Sequence, residues 1–545
     1  MAQERIIASF DPLVDLAAVV TNGRYVFGHQ FVRAVLDHAD LDAWLVISDP
    51  DEAVTTAEEA GYGAHIGRRL RFAPWDLAPE ILADPSIMAV HTGLSKALVM
   101  PAVEMRRLVV GQGPPATATV HGLAYPSQMP TLLGVLCSDL RPGDAVVCPS
   151  PTAHHHLRAM LESLWHGLEG RRPIALAGAA PPALPLDLPI VPHGVDTERF
   201  RPRPQAEARR ALALPEGEPL VLSIGRVDAI NKMDLRPTIR LLAGLAERAR
   251  AAAQLPPRLV LVATQESAES RRLELLACQL GVPVTAVFDP PPDRLCLYYN
   301  ACDLTLVLSD TISEMFGLTA LEAMASGAAI VGTEVGGLRD LFVHQRNAWL
   351  VPTATAGDLP RAMALGLMFE DATTLARMNA GTVVALDELA RGVETLLADP
   401  SLRARLGAAA RADVATRYAW PAVIGGYVDV WRTARARAAR EERPPPGVSL
   451  ALPVAAALTP MLTRRCDSAT RFGVVGGLDV FVAYVEPFIH PQIAAALRLE
   501  LVPWLLSQPS HFAVDDLGTP PVPASPEAIL LVLLWCAKQG LVELA

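Results

Sequence analysis

An α/β fold of two parallel-sheet domains facing each other across a cleft, with a small appended C-terminal domain, is what this sequence predicts, and three observations carry it. Apolar strand patterns alternate with helical ones through most of the chain, the alternation restarts near Pro219, and the pattern changes again beyond residue 447. The 545-residue length exceeds one ordinary core and fits about three domains. A composition of 51% apolar and 19% charged residues is that of a globular chain with much buried surface.

The first domain is placed at residues 1–195, with strand candidates at 44–48, 88–91, 118–121 and 145–150. The second is placed at 196–435, with strands at 220–223, 259–263, 284–288, 304–308 and 329–331. Strands separated by helical patterns imply parallel sheets covered on both faces, and such sheets bind ligands beyond the carboxyl ends of their strands. The Arg/Ala-rich and then proline-rich stretch 433–447 has linker composition.

The run 313–327, which carries Glu314 and Glu322, is the most informative in the chain. Leu318, Leu321 and Met324 recur at helical spacing and Gly327 suits a left-handed C-terminal position, so a helix is expected from near Phe316 to Gly327 after a buried strand at 303–309. Strand, loop and helix N-terminus leave the N–H groups of Phe316, Gly317 and Leu318 for an anion, and Gly317 has no side chain to block its approach. At roughly 1.5 Å per residue, eight helical positions separate the two carboxylates by about 12 Å, comparable to the spacing of hexose and ribose in an extended nucleotide sugar. A bare pair of this kind is ordinarily two solvated glutamates on an amphipathic helix. The reading changes because a second strand-and-glycine-loop cluster, 221–234, supplies Arg226 and Lys232, enough positive charge to offset the two negative charges of a diphosphate diester. No Asp-x-Asp pair suited to a metal-held diphosphate stands in a plausible site.

In order along the chain, the segment 190–196, Ser223 to Arg226 with Lys232, the Glu314 and Glu322 helix, and the segment 329–340 resemble the C-terminal half of retaining glycosyltransferases of the GT-B fold, in particular glycosyltransferase family 4 (glycosyl transferases group 1). The resemblance spans about residues 110–435. It implies two Rossmann-like domains and a nucleotide-diphosphate-sugar donor. It further implies that Arg226 and Lys232 hold the pyrophosphate, Glu322 bonds the ribose and Glu314 faces the transferred sugar, with Phe316, Gly317, Leu318 and Thr319 completing the donor-binding set. His121, which taken alone reads as a structural strand-end histidine, matches a family histidine near that sugar, so the implied catalytic set is Glu314, His121, Arg226 and Lys232. The expected reaction retains anomeric configuration by same-face attack, the departing phosphate oxygen helping to deprotonate the acceptor. No cofactor and no metal are then required. The acceptor, whether saccharide, lipid-linked, peptide or small molecule, is not legible. Two rival readings are an epimerase or hydrolase of nucleotide sugars on the same fold, and a non-catalytic nucleotide-sugar-binding scaffold.

Several stretches depart from that pattern or add to it. Residues 11–21 intervene before the glycines of 22–28, leaving open which glycine approaches the donor. Arg226 and Lys232 stand six positions apart where many relatives have five, and 352–387 is longer than usual. The aromatic residues Tyr418, Trp420, Tyr427 and Trp431 resemble the terminal helix that crosses back to the first domain. Ser150 resembles the serine that opens the turn after a core strand. His154, His155 and His156 are consecutive on an expected helix and point about 100° apart, so they do not converge on one ion.

Net charge is −11, from 47 basic and 58 acidic residues, which argues against nucleic acid as the main partner. Seven cysteines, odd in number and without a Cys-x-x-Cys pair, read as reduced thiols. The N-terminus lacks the order of a signal peptide and no apolar stretch has the length of a transmembrane segment, so the expected location is cytoplasmic. Residues 448–545 lie outside the family pattern and read as a small mixed or helical domain. Its last helix, about 528–538, and short strand, 540–544, are weakly similar to the end of a winged-helix module. The roles expected for it are packing, oligomerisation or recruitment of an acceptor.

Overall fold

The computed structural model describes residues 4–16, 23–109, 113–123, 127–169, 184, 186–230, 232–311, 313–355, 371–440, 466–482, 486, 497–509, 511–539 and 541–544. In the first domain β1 (Ile6–Ser9), β2 (Ala43–Ile47), β3 (Leu70–Ala73), β4 (Ile87–Thr92), β5 (Ala116–Thr119) and β6 (Ala145–Val147) form one parallel sheet in the order β3-β2-β1-β4-β5-β6. Nearly every residue of β1, β2, β4, β5 and β6 is buried, as expected where helices cover both faces.

The second sheet repeats the topology. β7 (Leu220–Gly225), β8 (Arg258–Ala263), β9 (Val284–Phe288), β10 (Leu304–Val307), β11 (Ile330–Glu334) and β12 (Trp349–Thr355) are parallel, and β13 (Thr382–Val384) closes the edge antiparallel to β12. The order is β13-β12-β11-β10-β7-β8-β9. Each sheet therefore reverses strand order once, between β1 and β4 and between β7 and β10, and ligands bind beside such points in open α/β sheets.

Four strands of these two sheets were not among the sequence expectations. β1 and β3 are four residues each, too short for a clear pattern, and β3 lies at the sheet edge with one fully buried residue. β12 ends in exposed, polar residues that pair with β13 across the long insertion. Of that insertion, 356–370 lies outside the described residues; the rest forms a helix, Asp371–Ala380, and β13.

The helix Trp420–Arg440 does cross to the first domain. Trp431 and Tyr427 are fully buried there among Phe31, Trp44 and His91, each such side chain contributing roughly 2–3 kcal/mol. Tyr427 and Thr119 share a hydrogen bond of 3.0 Å, Arg435 donates to the carbonyl of Pro85 at 3.0 Å, and Arg437 pairs with Asp187. The linker expected from 433 is corrected accordingly: 433–440 is helix, because its alanines and arginines are good helix formers and its arginines find partners on the first domain. The remainder, 441–447, lies outside the described residues, as do 448–465.

The C-terminal segment forms a small separate core. β14 (Arg471–Val474) pairs antiparallel with β15 (Phe512–Ala513) and β16 (Val542–Leu544), and the helix Pro526–Lys538 packs on them through Ile529, Val532, Leu533 and Cys536. Of the helical pattern expected over 491–506, residues 491–496 lie outside the described residues; Leu499–Leu501 forms a 3-10 turn and Val502–Leu506 a short helix. This module docks on the first domain just after β3, where Arg498, 13% exposed, pairs with Asp76, 3% exposed, at 3.2 Å. Asp76 also accepts the amide of Ser525 at 3.2 Å.

Candidate functional site

The site grows from the reversal point of the second sheet. β7 runs into Gly225 at φ +135°, a conformation that a side chain disfavours; Arg226 and Lys232 follow on the loop. β10 runs into Ser309 and Asp310, and the chain then turns through Glu314 to the helix Leu318–Ala325. The two loops touch, since a Cβ on Gly225 would lie 3.6 Å from Thr319 Cγ2. Arg226, Lys232, Glu314, Gly317 and Thr319 consequently line one pocket, floored by Ser223, Leu261 and Leu306.

The helix opens at Leu318, two residues later than expected, because Gly317 takes φ +111° and breaks the turn ahead of it. Its far end does reach Gly327 in the left-handed region, at φ +69°. The delay places Phe316 and Gly317 in the loop, and among the described residues no acceptor takes the amides of Phe316, Gly317, Leu318 or Thr319. These N–H groups, with the positive end of the helix, favour an anion at the pocket mouth.

Lys232 Nζ donates to Glu314 Oε2 at 2.7 Å, and Arg226 Nε lies 3.6 Å from Asp228 Oδ2. Both cations are 37% exposed, open to an incoming anion. Glu322 sits one helix face further back, where its Oε2 accepts the hydroxyl of Tyr299 at 2.7 Å; burial raises its pKa to about 7 against the pull of that bond. Asp310 clamps the cationic loop: its amide donates to the Lys232 carbonyl at 3.1 Å and its Oδ2 accepts the Asp234 amide at 3.0 Å. Burial raises the Asp310 pKa to about 6.

The first domain meets this pocket with its own reversal point. The helix Gly23–His38 starts against the helix Leu318–Ala325, a Cβ on Gly23 falling 3.9 Å from Leu318 Cδ1. Gly23 is thus the glycine of that segment nearest the pocket, whereas Gly28 packs on Leu94; Asn22 lies outside the described residues. His121 stands two residues beyond β5 rather than at the end of a strand. Its Nε2 bonds the carbonyl of Gly93, and burial lowers its pKa to about 4. Its ring lies 5.5 Å from that of His193, which lies 4.9 Å from Phe316 just ahead of the helix Leu318–Ala325. Asp11, two residues beyond β1, accepts the amides of Gly93 and Leu94, and burial raises its pKa to about 6.

Direct bonds hold the two halves together. Ser150, opening the turn after β6, donates to the carbonyl of Met315 at 2.9 Å and caps its own helix by accepting the Ala153 amide at 3.0 Å. The Thr152 amide donates to Asp340 at 2.8 Å. His154, His155 and His156 occupy successive positions of the helix Pro151–Glu169. Among the described residues no group of three His, Cys, Asp or Glu side chains is arranged to hold a metal.

Tyr299, Asp310 and Asp11 were not singled out by the sequence. Tyr299 reaches Glu322 across 23 positions, a pairing without a local signal. Asp11 stands two residues beyond β1 and Asp310 three beyond β10, and an acid just past a short apolar strand is the signal available.

Residues 204–379 match the family described as Glycosyl transferases group 1. D-inositol 3-phosphate glycosyltransferases are similar in sequence: that of Acidothermus cellulolyticus is 36% identical over 220 residues, covering 37% of this chain and 45% of the relative. That of Xylanimonas cellulosilytica is 33% identical over 258 residues, covering 46% and 52%. The chain spans about half the length of the curated relatives it matches. Among solved structures, sucrose-phosphate synthase from Thermosynechococcus elongatus superposes with a TM-score of 0.50 at 22% identity, covering 79% of this chain and 99% of the other. A glycosyltransferase from Rickettsia africae gives 0.52 at 14% identity, covering 79% and 98%. Residues 204–379 are thus similar to the glycosyl transferases group 1, and the two parallel-sheet domains share the fold of these solved structures.

Proposed function

We propose that this protein is a retaining glycosyltransferase that moves a sugar from a nucleotide-diphosphate donor to an acceptor yet to be identified. The observation that carries the reading is the meeting of Arg226, Lys232, Glu314, Gly317 and Thr319 on one pocket at the reversal point of the second sheet, opposite His121. Bound there, the diphosphate displaces the Lys232–Glu314 ion pair. Lys232 and Arg226 then neutralise the leaving phosphate, the amides of Phe316 to Thr319 bond its oxygens, and Glu314 is released toward the sugar. Glu322, held by Tyr299, takes the ribose hydroxyls. Catalysis of this kind comes from orientation and from stabilising the departing diphosphate, and it requires no protein nucleophile.

Two cations at the phosphates make a divalent metal unnecessary, so chelation with EDTA should leave turnover unchanged. Among the described residues no helix is long and apolar enough to cross a membrane; a cytoplasmic site of action accords with the seven unpaired cysteines.

The test begins with thermal-shift screening of nucleotide sugars across all common bases, where a donor at 100 times its dissociation constant stabilises by about 2.7 kcal/mol. A transfer assay on the donor so found should lose activity by about 100-fold or more in Glu314→Gln and in Lys232→Ala, each still folded. Wild-type turnover in either variant contradicts the assignment. Release of free sugar or an epimer from donor alone, with no transfer to any acceptor, would instead establish the hydrolase or epimerase.

A further inference from the structure

Opposite the donor pocket, one buried carboxylate organises a peptide of the first domain. Asp11 Oδ2 accepts the amides of Gly93 and of Leu94, the latter at 2.9 Å. The carbonyl of the Gly93–Leu94 peptide is occupied on its other side. Gly93 O, in the unit whose N–H is that of Leu94, accepts His121 Nε2. This peptide is therefore bonded at its N–H by a carboxylate and at its C=O by a side chain at the crevice. Hydrogen bonds in such a series polarise one another, and a carboxylate on the N–H makes the C=O a stronger acceptor.

We propose that Asp11 is a positioning residue that acts through the Gly93–Leu94 peptide to hold His121 in its Nε2–H tautomer, with Nδ1 unprotonated. A carbonyl only accepts, so the nitrogen facing Gly93 O carries the proton. Burial keeps the imidazole neutral, and a neutral ring has one bare nitrogen, here Nδ1. Arg24, at the start of the helix that abuts Leu318, donates to the carbonyl of Leu94 at 3.2 Å beside this peptide. Asp11 thus fixes a tautomer without touching substrate. The catalytic consequence rests on the reading of His121 as the side chain facing the transferred sugar; the tautomer itself does not.

Nitrogen-15 NMR of the full chain, labelled at its 13 histidines, reads the tautomer directly. His121 is assigned by the signal lost in His121→Gln. The wild type should show the Nε2–H pattern, and Asp11→Asn and Asp11→Ala should raise the Nδ1–H share of His121 severalfold. In the transfer assay kcat should fall about tenfold with donor KM within twofold. A wild-type His121 protonated on Nδ1 overturns the proposal whatever the variants do, as does an unchanged His121 pattern in either folded variant. A wild type that turns over no donor would defeat the enzymatic reading and leave the tautomer result standing.

Discussion

Substituting Gly337 by alanine isolates how tightly the donor-side amides are placed. Gly337 has φ −69°, open to any residue, so alanine adds no backbone strain and its effect is one of contact alone. A Cβ there would lie 2.0 Å from Met315 O and 2.6 Å from the Phe316 amide nitrogen, where ordinary contact begins at 3.4 Å. The Met315–Phe316 peptide must therefore move by about 1.4 Å, and its carbonyl is also the acceptor for Ser150 Oγ. Misplacement of about 1 Å costs roughly 100-fold in rate, or about 2.7 kcal/mol. Calorimetric titration of the nucleoside diphosphate together with kcat/KM on the donor should show a loss of that order in Gly337→Ala. Gly425→Ala, on an open helical position, should leave both unchanged and stabilise the fold by roughly 0.5–1 kcal/mol. A folded Gly337→Ala enzyme that binds and turns over like wild type would refute the claim that these amides form the anion site.

Other expectations follow from the same geometry. Glu322 titrates near pH 7 in the fold against 4.5 when free, so the folded state holds a proton that the unfolded state has lost between those values, and stability falls as pH rises through that window. Glu322→Gln lacks the effect, so its stability relative to wild type should grow from pH 4.5 to 7 by on the order of 3 kcal/mol and then level off; parallel denaturation curves would contradict this. Tyr299→Phe removes the hydroxyl that lowers the Glu322 pKa, and donor affinity at pH 7 should weaken by about 1.5–3 kcal/mol, read by titration calorimetry. Asp76→Ala removes the carboxylate that Arg498 and the Ser525 amide share at the junction while Arg498 keeps Glu500, which costs roughly 1.5–3 kcal/mol, and limited proteolysis should then release the C-terminal module faster than in wild type while the two-domain body stays intact.

The second domain was legible because its signals are local. An apolar strand, a glycine and a cation recur within a few residues at Ser223 to Lys232, and the Leu318, Leu321 and Met324 spacing defines the helix that follows the second loop. The helix start was misjudged because Phe316 continues the apolar pattern while Gly317 takes a left-handed conformation, which periodicity does not register. The first domain was less legible. β1 and β3 are too short to show alternation, and Asp11 earns its place through amides 82 and 83 positions away. The Tyr299–Glu322 bond and the docking of Arg498 on Asp76 depend likewise on tertiary folding that brings distant positions together. The end of the Trp420–Arg440 helix was read as linker because arginine and alanine runs serve both purposes until the carbonyls of the first domain are there to receive the arginines.

The chain passes between the two halves twice, at Val195 and at Ala419, and the two passages are bonded to each other, the Val195 amide donating to the Tyr418 carbonyl at 2.9 Å. A single tether would let the halves swivel and twist. Two parallel ones joined side by side behave as a flat leaf spring, stiff to twisting and to sliding and compliant in one bending direction. Any opening of the crevice is thereby confined to one arc, and under the proposed transfer an acceptor on the first half would approach the donor sugar along that arc.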